Sequence, residues 1–296
     1  MEEQKVVLIT GGASGLGRVL VEEFIKEGYQ VCFTFWKSKE NARRLSELYG
    51  DKVLAVNADA AEYEKALEAV NTCMEHFGRL DVLVNNAASA RDASLVRLEQ
   101  EDFKYTLQHV LYPVFYYSKA VCGHFIKAGK GKIINIGSIN GLRGREGSLA
   151  YSTAKAGIEG FTKTIAKELG MYNVNCNVVA PGYIDTDGQR NTSELIKKMV
   201  LDECAIRKLT DPAEVAPGCG NHNLIHRFRL PDSFYNMPQH GLFAKLCHYL
   251  PGKPRGTHSG LDNRNCIHFL YTPSLYILSA VNLINLPCNV IGSFSG

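Results

Sequence analysis

No Cys-x-x-Cys pair occurs in this 296-residue chain, although it holds nine cysteines, at 32, 73, 122, 176, 204, 219, 247, 266 and 288. An odd, irregularly spaced set excludes a disulfide framework. It predicts free thiols in a reducing compartment, and so a cytoplasmic protein. No run of five to eight lysines and arginines occurs, and the formal net charge is only +3. A nucleic-acid partner would require a more concentrated basic surface, so none is expected. The N-terminus, MEEQKVVLITGG, has no charged segment followed by an apolar one, which argues against a secretory leader.

What the chain does hold is a regular alternation. Apolar runs at 5–9, 30–36, 52–59, 80–88, 131–138 and 174–182 read as strands. Helical spacing of apolar residues separates them, with a long helix over roughly 100–127 and another over 150–169. Continuous Val/Ile/Leu strands alternating with helices predict an α/β fold. It is a doubly wound (Rossmann) parallel sheet with helices on both faces.

The first strand runs into TGGASGLG (10–17), which opens a helix. Gly11, Gly15 and Gly17, with Ser14 and Leu16 between them, let the backbone approach a pyrophosphate at a helix N-terminus. Asp59 and Ala60 close the third strand, where an adenine edge could bind. Asn86 and Ala87 lie in NNAA (85–88), which closes the fourth. All lie on the carboxyl edge of the sheet, where ligands bind in open α/β folds. The second strand has no acid at its tip. Lys37 and Ser38 stand there, and a cation beside a hydroxyl suits a ribose 2′-phosphate. NADP(H) is therefore the expected cofactor, with NAD(H) as the alternative. Farther along, Tyr151 and Lys155 are four apart, on one face of a helix. An ammonium beside a phenol lowers the phenol's pKa, which suits a proton donor near neutral pH.

TGGASGLG, NNAA, Ser138, Y-S-T-A-K (151–155) and PGYIDT (181–186) together resemble the short-chain dehydrogenases/reductases. The resemblance covers residues 5–216 and is nearest to the β-ketoacyl-acyl-carrier-protein reductases of fatty acid biosynthesis. It implies Tyr151 as acid/base, Lys155 on the nicotinamide ribose and Ser138 on the substrate carbonyl oxygen. It places the nicotinamide along Pro181 and Gly182, touching Ile184 and Thr186. The implied substrate is a ketone, such as a β-ketoacyl thioester on acyl carrier protein or CoA. A homo-oligomer through the helix at 150–169 is also implied.

Two departures qualify the resemblance. Val110 stands where the family places an Asn that supports a proton path from Lys155, so a slower enzyme, or one with another path, is expected. Pro113 is expected to bend the long helix. The second departure is the tail. After Ala216 the acids are Asp232 and Asp262 alone, while six of the nine His and seven of the ten Pro lie there. The Gly-rich turn and last parallel strand of the family are missing. The expected division is a domain at 1–216 followed by an atypical tail at 217–296, ascribed to a change of reading frame near codon 216, with a genuine, different C-terminal extension as the alternative. Scattered His and Cys at 219–248 match no zinc spacing, so no metal is expected. The charge-free stretch 269–291 nearly reaches spanning length, but Pro273, Pro287 and three Asn argue against a membrane anchor. The competing functions are an impaired homologue that binds cofactor only, and an alcohol, sugar or steroid dehydrogenase. The segment 187–208 over the substrate would decide the latter.

Overall fold

The computed structural model describes residues 4–186, 194–203, 209–220, 268–272 and 275–279. Six strands form in the order read from the sequence: β1 (Val6–Ile9), β2 (Gln30–Phe35), β3 (Val53–Asn57), β4 (Val82–Asn85), β5 (Gly131–Ile136) and β6 (Val174–Pro181). Between β1 and β4 run α1 (Gly15–Lys26), α2 (Lys39–Tyr49) and α3 (Tyr63–Phe77). Then come α4 (Gln100–Val110), α5 (Tyr112–Ala128), α6 (Ile139–Arg143) and α7 (Leu149–Leu169). Beyond β6 lie α8 (Glu194–Glu203), α9 (Pro212–Val215), α10 (Pro217–Gly220), β7 (His268–Thr272) and β8 (Leu275–Ser279).

The strand order is β3-β2-β1-β4-β5-β6-β8-β7. The six strands from β3 to β6 are parallel. Each needs a helical crossover, and the right-handed rule puts helices on both faces. All four residues of β1 and of β4 are buried, as strands covered on both faces require. One face of the sheet packs against Leu20, Val21 and Phe24 of α1. The other packs against Val70 of α3 and Tyr117, Val121 and Phe125 of α5. Each fully buried Leu or Phe here contributes roughly 1.5–3 kcal/mol. The chain leaves β3 at one edge and re-enters the sheet at β4, beside β1. That reversal opens a crevice at the carboxyl ends of β1 and β4.

The sheet departs from expectation at its far edge. Where a last parallel strand would complete it, β8 pairs antiparallel to β6, with Pro181 opposite Leu275 and Asn177 opposite Ser279. β7 then pairs antiparallel to β8. A tight antiparallel hairpin needs no crossover helix, so a short segment suffices to cover the edge of β6. Before it, Val215, Ala216 and Cys219 are buried in the same core cluster as α1. Residues 221–267 and 280–296 lie outside the described residues, and with them Asp232, Asp262, most of the scattered His/Cys set and most of the apolar stretch 269–291.

The long helix expected over 100–127 is two helices. Pro113 has no N–H to give to the carbonyl of His109, and its ring crowds that carbonyl. The chain breaks at Leu111. The carbonyl so released accepts instead from the N–H of Ser89, at 3.3 Å. A single proline thus both ends α4 and ties the loop after β4 to it.

Candidate active site

The phosphate turn is shaped by close backbone approach. Gly11 and Gly15 adopt positive φ, +67° and +53°. A Cβ on Gly17 would lie 2.1 Å from the Gly11 carbonyl oxygen and 2.7 Å from Asn86 Nδ2. Asn86 fastens this turn to the end of β4. Its Nδ2 donates to the Thr10 carbonyl at 2.9 Å and to that of Gly11 at 3.3 Å. Thr10 Oγ1 in turn accepts from the N–H groups of Asn86 and Ala87, each at 2.9 Å. Ser14 is the N-cap of α1, yet its side chain caps nothing. The first-turn amides of α1 are left open on the crevice side, with the positive end of the helix dipole behind them.

A cavity of about 250 Å3 continues from that turn. Gly11, Ser14, Leu16 and Gly17 line it on one side, Asp59 and Ala60 on another, Asn86 and Ala87 on a third. One Asp59 oxygen is engaged by the N–H of Ala61 at 3.0 Å, which fixes the carboxylate in its own turn. Trp36 and His109 also line this cavity; sequence reasoning passed over Trp36 and read His109, the neighbour of Val110, as a surface or core-edge residue. Lys37 does not line it. Its ammonium lies over the Trp36 ring, 4.2 Å from the centroid, with the side chain exposed. Ser38 is the N-cap of α2, without a side-chain cap bond.

A second cavity, of about 540 Å3, shares Leu16, Asn86 and Ala88 with the first. Ser138, Tyr151 and Lys155 line it, as do Pro181, Gly182, Ile184 and Thr186. The structure therefore gathers these sequence-singled residues in one place. Ser138, at the end of β5, caps α6 by accepting from the Asn140 N–H at 3.2 Å, and its hydroxyl also hydrogen-bonds Tyr151. Thr186 reaches over the phosphate turn, 3.8 Å from the point where a Gly15 Cβ would sit. The strap from Tyr183 to Asp185 is held by backbone bonds to Thr210, 2.9 Å and 3.1 Å long. Residues 187–193 and 204–208 lie outside the described residues. From the substrate-covering segment, α8 contributes Val200 to the cavity wall.

The electrostatics differ from the spacing argument. Burial raises the Tyr151 pKa above its ordinary value, Asp92 adds to the rise, and only the Ser138 hydrogen bond lowers it. The Lys155 Nζ donates to the Ile136 carbonyl and lies over the Tyr151 ring, 5.5 Å from its centroid. Its own pKa is lowered by burial to about 8. Between pH 8 and 10.5 the unfolded chain keeps this proton and the folded chain has released it. Stability from this group therefore rises with pH across that window, by up to about 3 kcal/mol. Lys155→Met should remove that rise. Urea unfolding of parent and variant at pH 7 and pH 10 measures it, and an equal pH response in both would contradict it. Cys176 and Cys219, both pushed to about 12 by burial, act in the opposite sense and cancel in the comparison.

Val110 is fully buried among Val114, Ala154, Ile158, Val178 and Ala180. Nothing there hydrogen-bonds. Other wall residues went unnoticed in the sequence, namely Asp92, Arg143 and Arg145. Asp92 lies 59 residues before Tyr151, so only the fold reveals that its Oδ1 accepts the Tyr151 N–H. Among the described residues no cluster of three His, Cys, Asp or Glu could hold a metal ion. No described helix is long and apolar enough to cross a membrane.

Residues 5–196 match the family model described as short chain dehydrogenase. The chain is 36% identical over 217 residues to the 3-oxoacyl-acyl-carrier-protein reductase of Vibrio harveyi, covering 72% of this chain and 87% of that one. It is 35% identical over 220 residues to the acetoacetyl-CoA reductase of an Acinetobacter species, covering 73% and 89%. Among solved structures, ElxO with NADP bound superposes with a TM-score of 0.69 at 31% identity, over 74% of this chain and 92% of that one. A tyrosine-to-phenylalanine variant of ElxO with NADPH bound matches equally well. A glycine turn at the switch point of a parallel sheet, joined to a cavity walled by Ser138, Tyr151 and Lys155, agrees with these similarities, and the chain belongs to the short-chain dehydrogenase family of NAD(P)-dependent oxidoreductases.

Proposed function

We propose that this chain is an NADPH-dependent reductase of a β-ketoacyl thioester, with Ser138, Tyr151 and Lys155 as its catalytic residues. The observation that carries the reading is the junction of the two cavities at Leu16, Asn86 and Ala88. A dinucleotide lying along the first cavity would present its far end to the second, beside the phenol. The residues fit such a group. The open amides of α1 suit a pyrophosphate, and a side chain at Gly15 would project into the cradle beneath Thr186. Lys37 on Trp36, with Arg18 and Arg44 lining a third cavity of about 410 Å3 beside Ser14 and Gly15, supplies cations for a 2′-phosphate. The NADP-bound relative and the acyl-carrier-protein and CoA reductases support the same reading.

When bound, NADPH supplies the hydride that forms the new C–H bond. Ser138 donates a hydrogen bond to the carbonyl oxygen and orients it. As the carbonyl π pair moves onto that oxygen, Tyr151 transfers its proton there, its O–H bond breaking as the alcohol O–H forms. Burial keeps that proton on the phenol until it is needed. Lys155, anchored on the Ile136 carbonyl, holds a positive charge beneath the reacting centre. Arg143 and Arg145 on the same wall suit a thioester whose carrier is anionic. Apolar Val110 removes one route for returning the proton to Tyr151, which favours slow turnover over none.

The same proposal includes a homo-oligomer through α7. Half-exposed Phe115, whose ring centroid lies 6.4 Å from that of Phe161 on α7, supports it. It also keeps residues 1–216 as the catalytic unit and 217–296 as an atypical tail, supported by the step in composition at Ala216, with Cys219 packed beside α1 and β8 paired to β6. The deciding experiment follows NADPH absorbance with acetoacetyl-CoA, beside NADH. Turnover preferring NADPH upholds the reading. A folded protein that binds NADPH but reduces no ketone supports the cofactor-binding homologue instead.

A further inference from the structure

From the geometry around α7 we infer that Asp92 is a positioning residue for Tyr151: it fixes the backbone of that residue and sets a carboxylate on the same cavity wall as its phenol. The inference rests on the ketoreductase reading above.

The loop that carries Asp92 is held rigidly. The Arg91 N–H donates to Thr106 Oγ1, which donates back to the Arg91 carbonyl, both at 2.9 Å. The Arg91 guanidinium stacks on the Tyr105 ring at 3.9 Å and pairs with Asp102 at 3.3 Å. The neighbouring cation is therefore turned toward α4. Asp92 points the other way, and its Oδ1 accepts the Tyr151 N–H at 3.1 Å. Tyr151 is the third residue of α7, and Ser148, the N-cap, makes no side-chain cap bond. The helix is capped from outside, at the amide of the very residue whose phenol faces the substrate cavity. An acceptor at this position satisfies one of the first-turn amides of the helix.

The groups around the phenol are few. Ser138 opens α6, Lys155 lies one turn along α7, and Arg143 and Arg145 share the cavity wall. Burial and the Asp92 charge both favour the neutral phenol, and the Ser138 bond opposes them. Ketone reduction starts from the phenol, whereas alcohol oxidation starts from the phenolate. Asp92 thus opposes ionisation of Tyr151 and delays the onset of oxidation to more alkaline solution.

The test compares Asp92→Asn, which keeps an acceptor without the charge, with Asp92→Ala, which removes both. Cofactor-free protein labelled with ring-13C tyrosine is titrated by NMR, the Tyr151 signal being assigned with Tyr151→Phe. Both variants should ionise Tyr151 at lower pH than the parent, and their alcohol-oxidation profiles should shift the same way. Asp92→Ala should lose about tenfold more kcat than Asp92→Asn, since only it frees the Tyr151 backbone. An unmoved titration in Asp92→Asn overturns the inference, and this variant suffices should Asp92→Ala fail to fold. Absence of ketone reduction by the parent would defeat the ketoreductase reading instead, while the titration would still report on Asp92.

Discussion

Tyr151→Phe should reduce kcat for ketone reduction by about 10^3-fold while leaving NADPH affinity within about twofold. The substitution removes one oxygen and keeps the ring. The phenol is the proton donor on this wall beside a carbonyl oxygen held by Ser138, whereas the Lys155 Nζ is drawn toward the Ile136 carbonyl of β5. The ring itself packs with Val110 and Ile158, so the fold should survive. Stopped-flow NADPH oxidation and a fluorescence titration of NADPH check the two halves separately. Residual activity within tenfold of the parent would mean that another group gives the proton.

The second large effect is expected at Gly17. Gly17→Ala places a methyl group 2.1 Å from the Gly11 carbonyl oxygen and 2.7 Å from Asn86 Nδ2. The first contact is backbone, and the second is the amide that fastens the phosphate turn to β4. Neither yields without opening the turn. Overpacking of this kind costs about 3 kcal/mol or more, and the amides of α1 should lose their register on a pyrophosphate. NADPH affinity should fall about 100-fold by the same distortion, since a 1 Å misplacement can cost that much. Gly15→Ala is the control. There the added Cβ meets nothing nearer than Thr186 at 3.8 Å. Only the left-handed backbone, φ +53°, is strained, at about 1–2 kcal/mol. Thermal melts and NADPH titration of the two variants should separate steric closure from backbone strain. Equal effects in both would show that close approach at Gly17 is not what shapes the turn.

Most of the sheet was legible because its physics is local. A strand covered on both faces must be apolar at its centre, and VVLI and the Val-Cys-Phe and Ile-Ile centres of QVCFTF and GKIINI declare themselves as such. The helix break at Leu111 was announced by Pro113, but its use was not. Only the fold brings the Ser89 N–H to the freed His109 carbonyl, twenty residues away. Tyr151 and Lys155 were visible through helical spacing, but their surroundings were not. Rotamer choice sends Lys155 to β5, and burial then governs the phenol.

The cofactor end shows the same division. A missing acid at the tip of β2 pointed to a 2′-phosphate, and charge alone could carry that argument. The residue that lines the adjoining cavity is Trp36, whose role depends on the way the strand end turns. After Ala216 the sequence carried no period to read, and the antiparallel hairpin on β6 had no local signature.

By itself the sequence determined the order of strands and helices, the glycine turn, and the Tyr-Lys spacing on one helix face. These depend on neighbours within one turn or one strand, where covalent geometry fixes which side chains share a face. Tertiary structure alone decided that two cavities join at Leu16, Asn86 and Ala88, and that Asp92 reaches the amide of Tyr151 from 59 residues away. Contacts across such separations are chosen by how whole elements pack, and no spacing along the chain encodes them.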